Sequence, residues 1–115
     1  MNHIGWFCKI YMHINESVKV AVIVRAVRNA LNLSQGGLAT LAGCSRPTIN
    51  RIETLGESSS RTNTIDDVLR FFREQGVEVR VADDEVLIRF TREALIRADA
   101  GIKGLPVAQS ASNAE

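Results

Sequence analysis

Apolar residues recur at helical spacing early in the chain. Val20, Val24, Val27 and Leu31 fall on one face, and Ile23, Ala26 and Ala30 widen the stripe. Asn15 and Ser17 are both competent N-caps, so a helix is expected to start there and to end at Asn32-Leu33. Its β-branched valines are mediocre helix formers, and packing rather than propensity must hold it. A shorter pattern follows Ser34, with Leu38, Ala39, Leu41 and Ala42 inward, and Gly43 suits a left-handed cap at its end. Ser45 then caps a third helix to about Glu53, with Pro47 in the first turn, where a missing N–H costs little. After the polar loop GESSSRTNT, Thr64 with Asp67 three residues on predicts a capping box and a fourth helix. Val68, Leu69, Phe71 and Phe72 give that helix its core side, and Gly76 ends it.

Here the period changes. Val77, Val79 and Val81 alternate with Glu78 and Arg80; after the turn-like Ala82-Asp83-Asp84-Glu85, Val86, Ile88 and Phe90 alternate with Leu87 and Arg89. Period-two alternation on both sides of a turn predicts a β-hairpin with one apolar face. Thr91 is placed to cap a last helix through about Ala100. The pattern therefore divides the chain into an N-terminal arm (1–14), a four- to five-helix domain (15–76), a hairpin with a short helix (77–100) and a small, polar, flexible tail (101–115). The class is mainly α.

Composition adds limits. A chain of 115 residues with 45% hydrophobic and 23% charged residues is one globular domain's worth. No apolar run approaches the ~18 residues that span a bilayer, so no membrane partner is expected. The opening MNHIGWFCKIYMHIN lacks the basic start and cleavage site of a signal peptide, and the expected location is cytoplasmic. Cys8 and Cys44 are far apart and form no C-x-x-C; free thiols are expected. His3 and His13 do not bring ligands to close spacing, so neither a metal nor a cofactor is expected. The absence of a Ser/His/Asp, paired-carboxylate or Gly-rich phosphate-binding constellation argues against an enzyme.

Net charge is only +1, but it is unevenly spread. Lys19 to Arg61 holds six basic residues against two acidic, and Thr62 to Glu115 seven against ten. A basic first half on a near-neutral chain suits a local phosphate-binding surface with another task elsewhere.

The third helix carries the candidate chemistry. At ~100° per residue, Arg46, Pro47, Asn50 and Arg51 fall within an arc of roughly 140°, and Ile49 and Ile52 point the other way. Arginine pairs with guanine, asparagine with adenine, and an apolar edge meets the thymine methyl, so this face has groove-reading chemistry. The same face also fits an ordinary amphipathic helix with a solvated polar side.

The neighbouring residues weigh on that choice. Leu33 to Glu53 reads LSQGGLATLAGCSRPTINRIE, which resembles the phage-repressor-like (Xre/Cro-type) helix-turn-helix DNA-binding family, with likeness from Arg28 to about Gly76. The resemblance implies that Gln35 bonds a DNA backbone phosphate and that Arg46, Pro47, Asn50 and Arg51 approach base edges. It places Ser45 and Thr48 close to the phosphates, with Thr54 flanking them. Arg61 is a further phosphate candidate, chosen for charge and location alone. The resemblance also implies a structural ion pair between Arg28 and Glu53. Gly36 and Gly37 depart from the family, which usually carries helix formers there, so Ser34 lacks the usual capping-box partner at position 37. Cys44 stands where an apolar residue is usual.

Two strands with one apolar face are marginal alone. Either the chain's own helices cover the hairpin, or a second copy extends it into a four-stranded sheet. The expected function is a sequence-specific regulator of transcription, a dimeric repressor on double-stranded DNA with a pseudo-palindromic operator. The alternative is an antitoxin-like or accessory protein whose C-terminal half binds a protein partner.

Overall fold

In the computed structural model, which describes residues 14–55 and 62–104, Asn15 caps the first helix by accepting from the Ser17 amide at 2.9 Å. Helix α1 spans Glu16–Ala30. Its exit turn is closed by Asn32 at φ 58° and by a 3.0 Å bond from the Leu33 amide to the Arg28 carbonyl. Asparagine enters this left-handed conformation more readily than most residues. Helix α2 (Gln35–Ala42) starts on Ser34, whose hydroxyl accepts from the Gly37 amide. Half of a capping box thus survives without a side chain at position 37. Gly43 at φ 81° ends it, and its amide and that of Cys44 both bond the Ala39 carbonyl. Helix α3 (Arg46–Thr54) follows at once from its cap, Ser45.

Helix α4 spans Thr62–Glu74, three residues longer at its start than the Thr64 cap predicts. Thr62, Asn63 and Thr64 are all residue types that suit an N-cap, so residue type alone does not fix where the helix begins. Asp67 is engaged instead by Arg70 at 2.5 Å, one turn on. Gly76 (φ 91°) turns the chain into β1 (Val77–Val81), which pairs antiparallel with β2 (Val86–Phe90). In the register Val77↔Phe90, Val79↔Ile88 and Val81↔Val86, all six apolar residues share one face, with Glu78↔Arg89 and Arg80↔Leu87 on the other. Helix α5 (Arg92–Ile102) is capped by Thr91 and passes the predicted end at Ala100.

One core joins these elements. It contains Ile23, Val24, Val27 and Leu31 of α1, Leu38 and Ala39 of α2, and Ile49 and Ile52 of α3. Val68, Phe71 and Phe72 of α4, Val77 of β1 and Ala94 of α5 complete it, with Val79, Val86, Ile88 and Phe90 packed against it. Helices of its own chain thus cover the hairpin's apolar face, except at Val81, which stays exposed. Helix α1 meets the helical layer on one side and both strands on the other, which widens its buried arc. Ala21 and Lys19 are buried, whereas Ala26, predicted to be inward, is exposed. Lys19 is only 4% exposed; its Nζ donates to Glu16 at 2.9 Å and to the Ala82 carbonyl in the hairpin turn at 2.7 Å.

Residues 101–104, expected to begin a tail, belong to the fold. A Cβ at Gly101 would come within 2.7 Å of the Leu31 carbonyl oxygen, so only glycine lets α5 approach this closely. Asn32 Nδ2 donates to the Gly101 carbonyl at 2.7 Å across the same contact. The arm through residue 13, with His3, Cys8 and His13, and Arg61 with residues 105–115, lie outside the described residues. None of the described helices is long and apolar enough to cross a membrane.

Candidate nucleic-acid interface

Helix α3 divides by environment as its periodicity predicts. Ile49 and Ile52 are buried in the core, and Arg46, Pro47, Asn50 and Arg51 are exposed on the other side. Only 43–45 separate α2 from α3, so the two helices are fixed as a unit. Cys44 packs against the core as a small apolar side chain. Burial, and then the Asp67 charge, push its thiol above the ordinary value, which keeps it protonated at neutral pH.

The exposed face is organised by short-range bonds. The Ser45 and Thr48 hydroxyls lie 2.7 Å apart, and the Thr48 amide donates to Ser45 Oγ at 3.3 Å. Arg51 reaches back to Thr48 Oγ1 at 3.4 Å, a long contact that leaves its guanidinium free to swing outward. Thr54 donates its hydroxyl to the Asn50 carbonyl at 2.7 Å. The stem of Arg46 lies over Gly36, whose Cβ position would be 3.8 Å from Arg46 Cδ. That spacing is ordinary contact, so the glycine is not needed for room.

Below this face sits an ion pair. Arg28 donates to Glu53 through Nε at 2.6 Å and NH2 at 3.0 Å, and through NH1 to the Leu33 carbonyl at 2.9 Å. The fork locks α1 to α3 and to the start of α2 at once. Burial raises the carboxyl's pKa; the hydrogen bonds from Arg28 and Gln35 and the charges of Arg28 and Arg25 outweigh it, and the net pKa is below the ordinary value. Glu53 is therefore ionised at neutral pH.

Gln35 opens α2. Its Nε2 donates to Glu53 Oε1 at 3.0 Å and to Asn50 Oδ1 at 3.3 Å, so both amide protons are used inside the protein. A phosphate bond from this amide would first have to break one of them. The backbone amides of the first turn of α2 still point outward from a helix N-terminus. Arg25 was not singled out in the sequence as a site residue. It is exposed, it has no hydrogen-bond partner among the described residues, and its charge acts on Glu53 beside Gln35. The i, i+3 spacing from Arg28 was the available signal.

Two short helices joined by a glycine turn, the second with a polar outward face, define a helix-turn-helix. The family profile described as "Helix-turn-helix domain" matches residues 20–82, and the chain belongs to this family. Its class is that of DNA-binding proteins. No curated protein and no solved structure matches the chain.

Proposed function

We propose that this protein is a sequence-specific regulator of transcription of the Xre/Cro type that binds double-stranded DNA as a dimeric repressor. The observation that carries the reading is the outward face of α3. Arg46, Pro47, Asn50 and Arg51 are exposed together on a helix anchored from behind by Ile49, Ile52 and the Arg28–Glu53 pair. In the DNA complex Arg46, Asn50 and Arg51 read base edges and Pro47 offers an apolar edge to a thymine methyl. Gln35, Ser45, Thr48, Thr54, Arg25 and the first-turn amides of α2 set the register on phosphates, with Arg61 as a further basic contact.

One recognition helix reads few base pairs, and a two-fold dimer would present two, about 34 Å apart, on a pseudo-palindromic operator. A contact with a second copy is supported by apolar residues that the C-terminal part leaves exposed. Leu95 (58% exposed) and Ile102 (77%) lie two turns apart on one side of α5, and Leu87 is exposed on β2.

The test is a gel-shift on the DNA upstream of the protein's own coding region over several salt concentrations. A complex that survives competitor DNA and weakens steeply with salt supports the proposal. Absence of retardation at micromolar protein rejects it. Arg46→Ala and Arg51→Ala should each cost about 1–3 kcal/mol and relax preference at one base position. Equal weakening on specific and random DNA would remove their base-reading role.

A further inference from the structure

Helix α5 is inverted for a helix that packs only on its own chain. Its buried residues are Ala94, Arg97, Ala100 and Gly101, three small ones and an arginine. Its large apolar residues point outward: Leu95 is 58% exposed, Ile96 53% and Ile102 77%. A helix that serves a single core does the opposite. Arg92, Leu95, Ile96, Asp99, Ile102 and Lys103 follow the i, i+3, i+4, i+7 spacing of one continuous stripe, and all six are exposed. The helix that carries this stripe is held at both ends. Thr91 Oγ1 donates to the Gly76 carbonyl at 2.6 Å, and Gly101 lies against Leu31 with Asn32 bonded to its carbonyl at 2.7 Å. The outward face of α5 is thereby tied to the corner between α1 and α2.

The charges on the stripe match themselves. Arg92 and Asp99 lie two turns apart and bracket Leu95 and Ile96 evenly, with about 5 Å of helix rise on each side of the midpoint. A surface that meets its own copy across a two-fold axis sets residue i against j and j against i. With that axis between Leu95 and Ile96 and the helices antiparallel, Arg92 faces Asp99 of the second copy at both ends. A parallel pair would set arginine against arginine and aspartate against aspartate. Arg92 has no ion-pair partner among the described residues. The Asp99 carboxylate is engaged by Lys103 at 2.9 Å in an exposed pair, which is weak and can be shared. We propose that the outward face of α5 docks the same face of a second copy, antiparallel, with Leu95 and Ile96 at the axis and Arg92–Asp99 pairs on both sides. This names the contact of the dimer proposed above and rests on that reading. A face of one short helix is small, so the dimer is weak in free solution.

Sedimentation equilibrium of the full chain without DNA, at about 0.05 M salt and up to roughly 500 µM protein, tests the contact. The wild type should pass from monomer to dimer as concentration rises. Leu95→Lys should weaken association by at least about tenfold. Arg92→Glu and Asp99→Arg should each weaken it about threefold to tenfold, because each sets two like-charged pairs across the axis. An equimolar mixture of these two variants should recover wild-type association, since both pairs of a mixed dimer then have opposite charges. All three positions are exposed, and unchanged circular dichroism checks that the variants fold. The inference is overturned if the wild type stays monomeric through this range, if Leu95→Lys associates like the wild type, or if the mixture is no tighter than either variant alone. DNA reading fails separately: a dimer that gives no gel-shift rejects the operator reading and leaves this contact in place.

Discussion

Removal of the Glu53 carboxylate should be among the most costly single changes outside the apolar core. Glu53 is 7% exposed and accepts two bonds from Arg28 and one from Gln35. Breaking a buried pair by deleting one partner costs about 3–5 kcal/mol, because the other charge is left buried without compensation. The Arg28 side chain retains 17% exposure and its bond to the Leu33 carbonyl, so part of its charge stays solvated. Glu53→Ala is therefore expected just below that range, at about 2–3 kcal/mol, a large share of the ~5–15 kcal/mol that holds a typical domain. Arg28→Met should cost a similar amount, and the double variant Arg28→Met/Glu53→Met much less than the two together. Urea denaturation followed by circular dichroism reads all three.

The same pair sets a pH dependence. The folded-state pKa of Glu53 lies below its ordinary value, so its contribution is complete above the ordinary carboxylate range. It is lost as pH falls from that range through the lower folded-state value, where protonation releases Arg28. Wild-type stability should thus fall more steeply in acid than that of Glu53→Gln, which has nothing to titrate at this position. Two results would refute the reasoning: an additive double variant, or acid slopes that are parallel in wild type and Glu53→Gln.

Three further outcomes are expected. Gly36→Ala should stabilise the protein by about 0.5–1 kcal/mol, since a methyl there meets only ordinary contacts; Gly37→Ala should gain less, because its Cβ would sit 3.2 Å from the capping Ser34 Oγ. Thermal melting compares the two, and a larger gain at Gly37 would contradict the geometry. Gly101→Ala should destabilise by about 1–3 kcal/mol by pushing α5 off the Leu31 carbonyl, with faster amide exchange along α5 as its signature. Lys19→Met should speed amide exchange around the 82–85 turn while leaving α3 protected, because it removes the bond to the Ala82 carbonyl; uniform loss of protection would argue against a local tether.

Much of this architecture is legible along the chain because it is local. Ser34, Gly43 and Ser45 mark the ends of α2 and α3 through bonds made within one turn, and the sequence places them correctly. The hairpin is equally plain, since strict alternation about Ala82–Glu85 leaves one register that puts all its apolar residues on one face. The outward face of α3 follows from helical period and residue type alone. Cap position in α4 is less determined, because three consecutive residues compete for it.

Tertiary structure decided what depends on distant segments meeting. Lys19, read as part of a basic surface, is buried because the hairpin turn 63 positions away supplies a carbonyl for it. Gly101 looks like the start of a tail, yet it is where α5 closes on α1, and no local pattern announces a contact with Leu31. The polarity of Asn50 also lies outside its helix. It depends on Gln35 being held by Glu53, and on Glu53 being kept ionised by an arginine 25 residues earlier. Sequence alone determined which residues face outward from α3. Only the folded chain decided which atom of Asn50 meets Gln35, because hydrogen-bond direction is set by partners that the primary structure keeps apart.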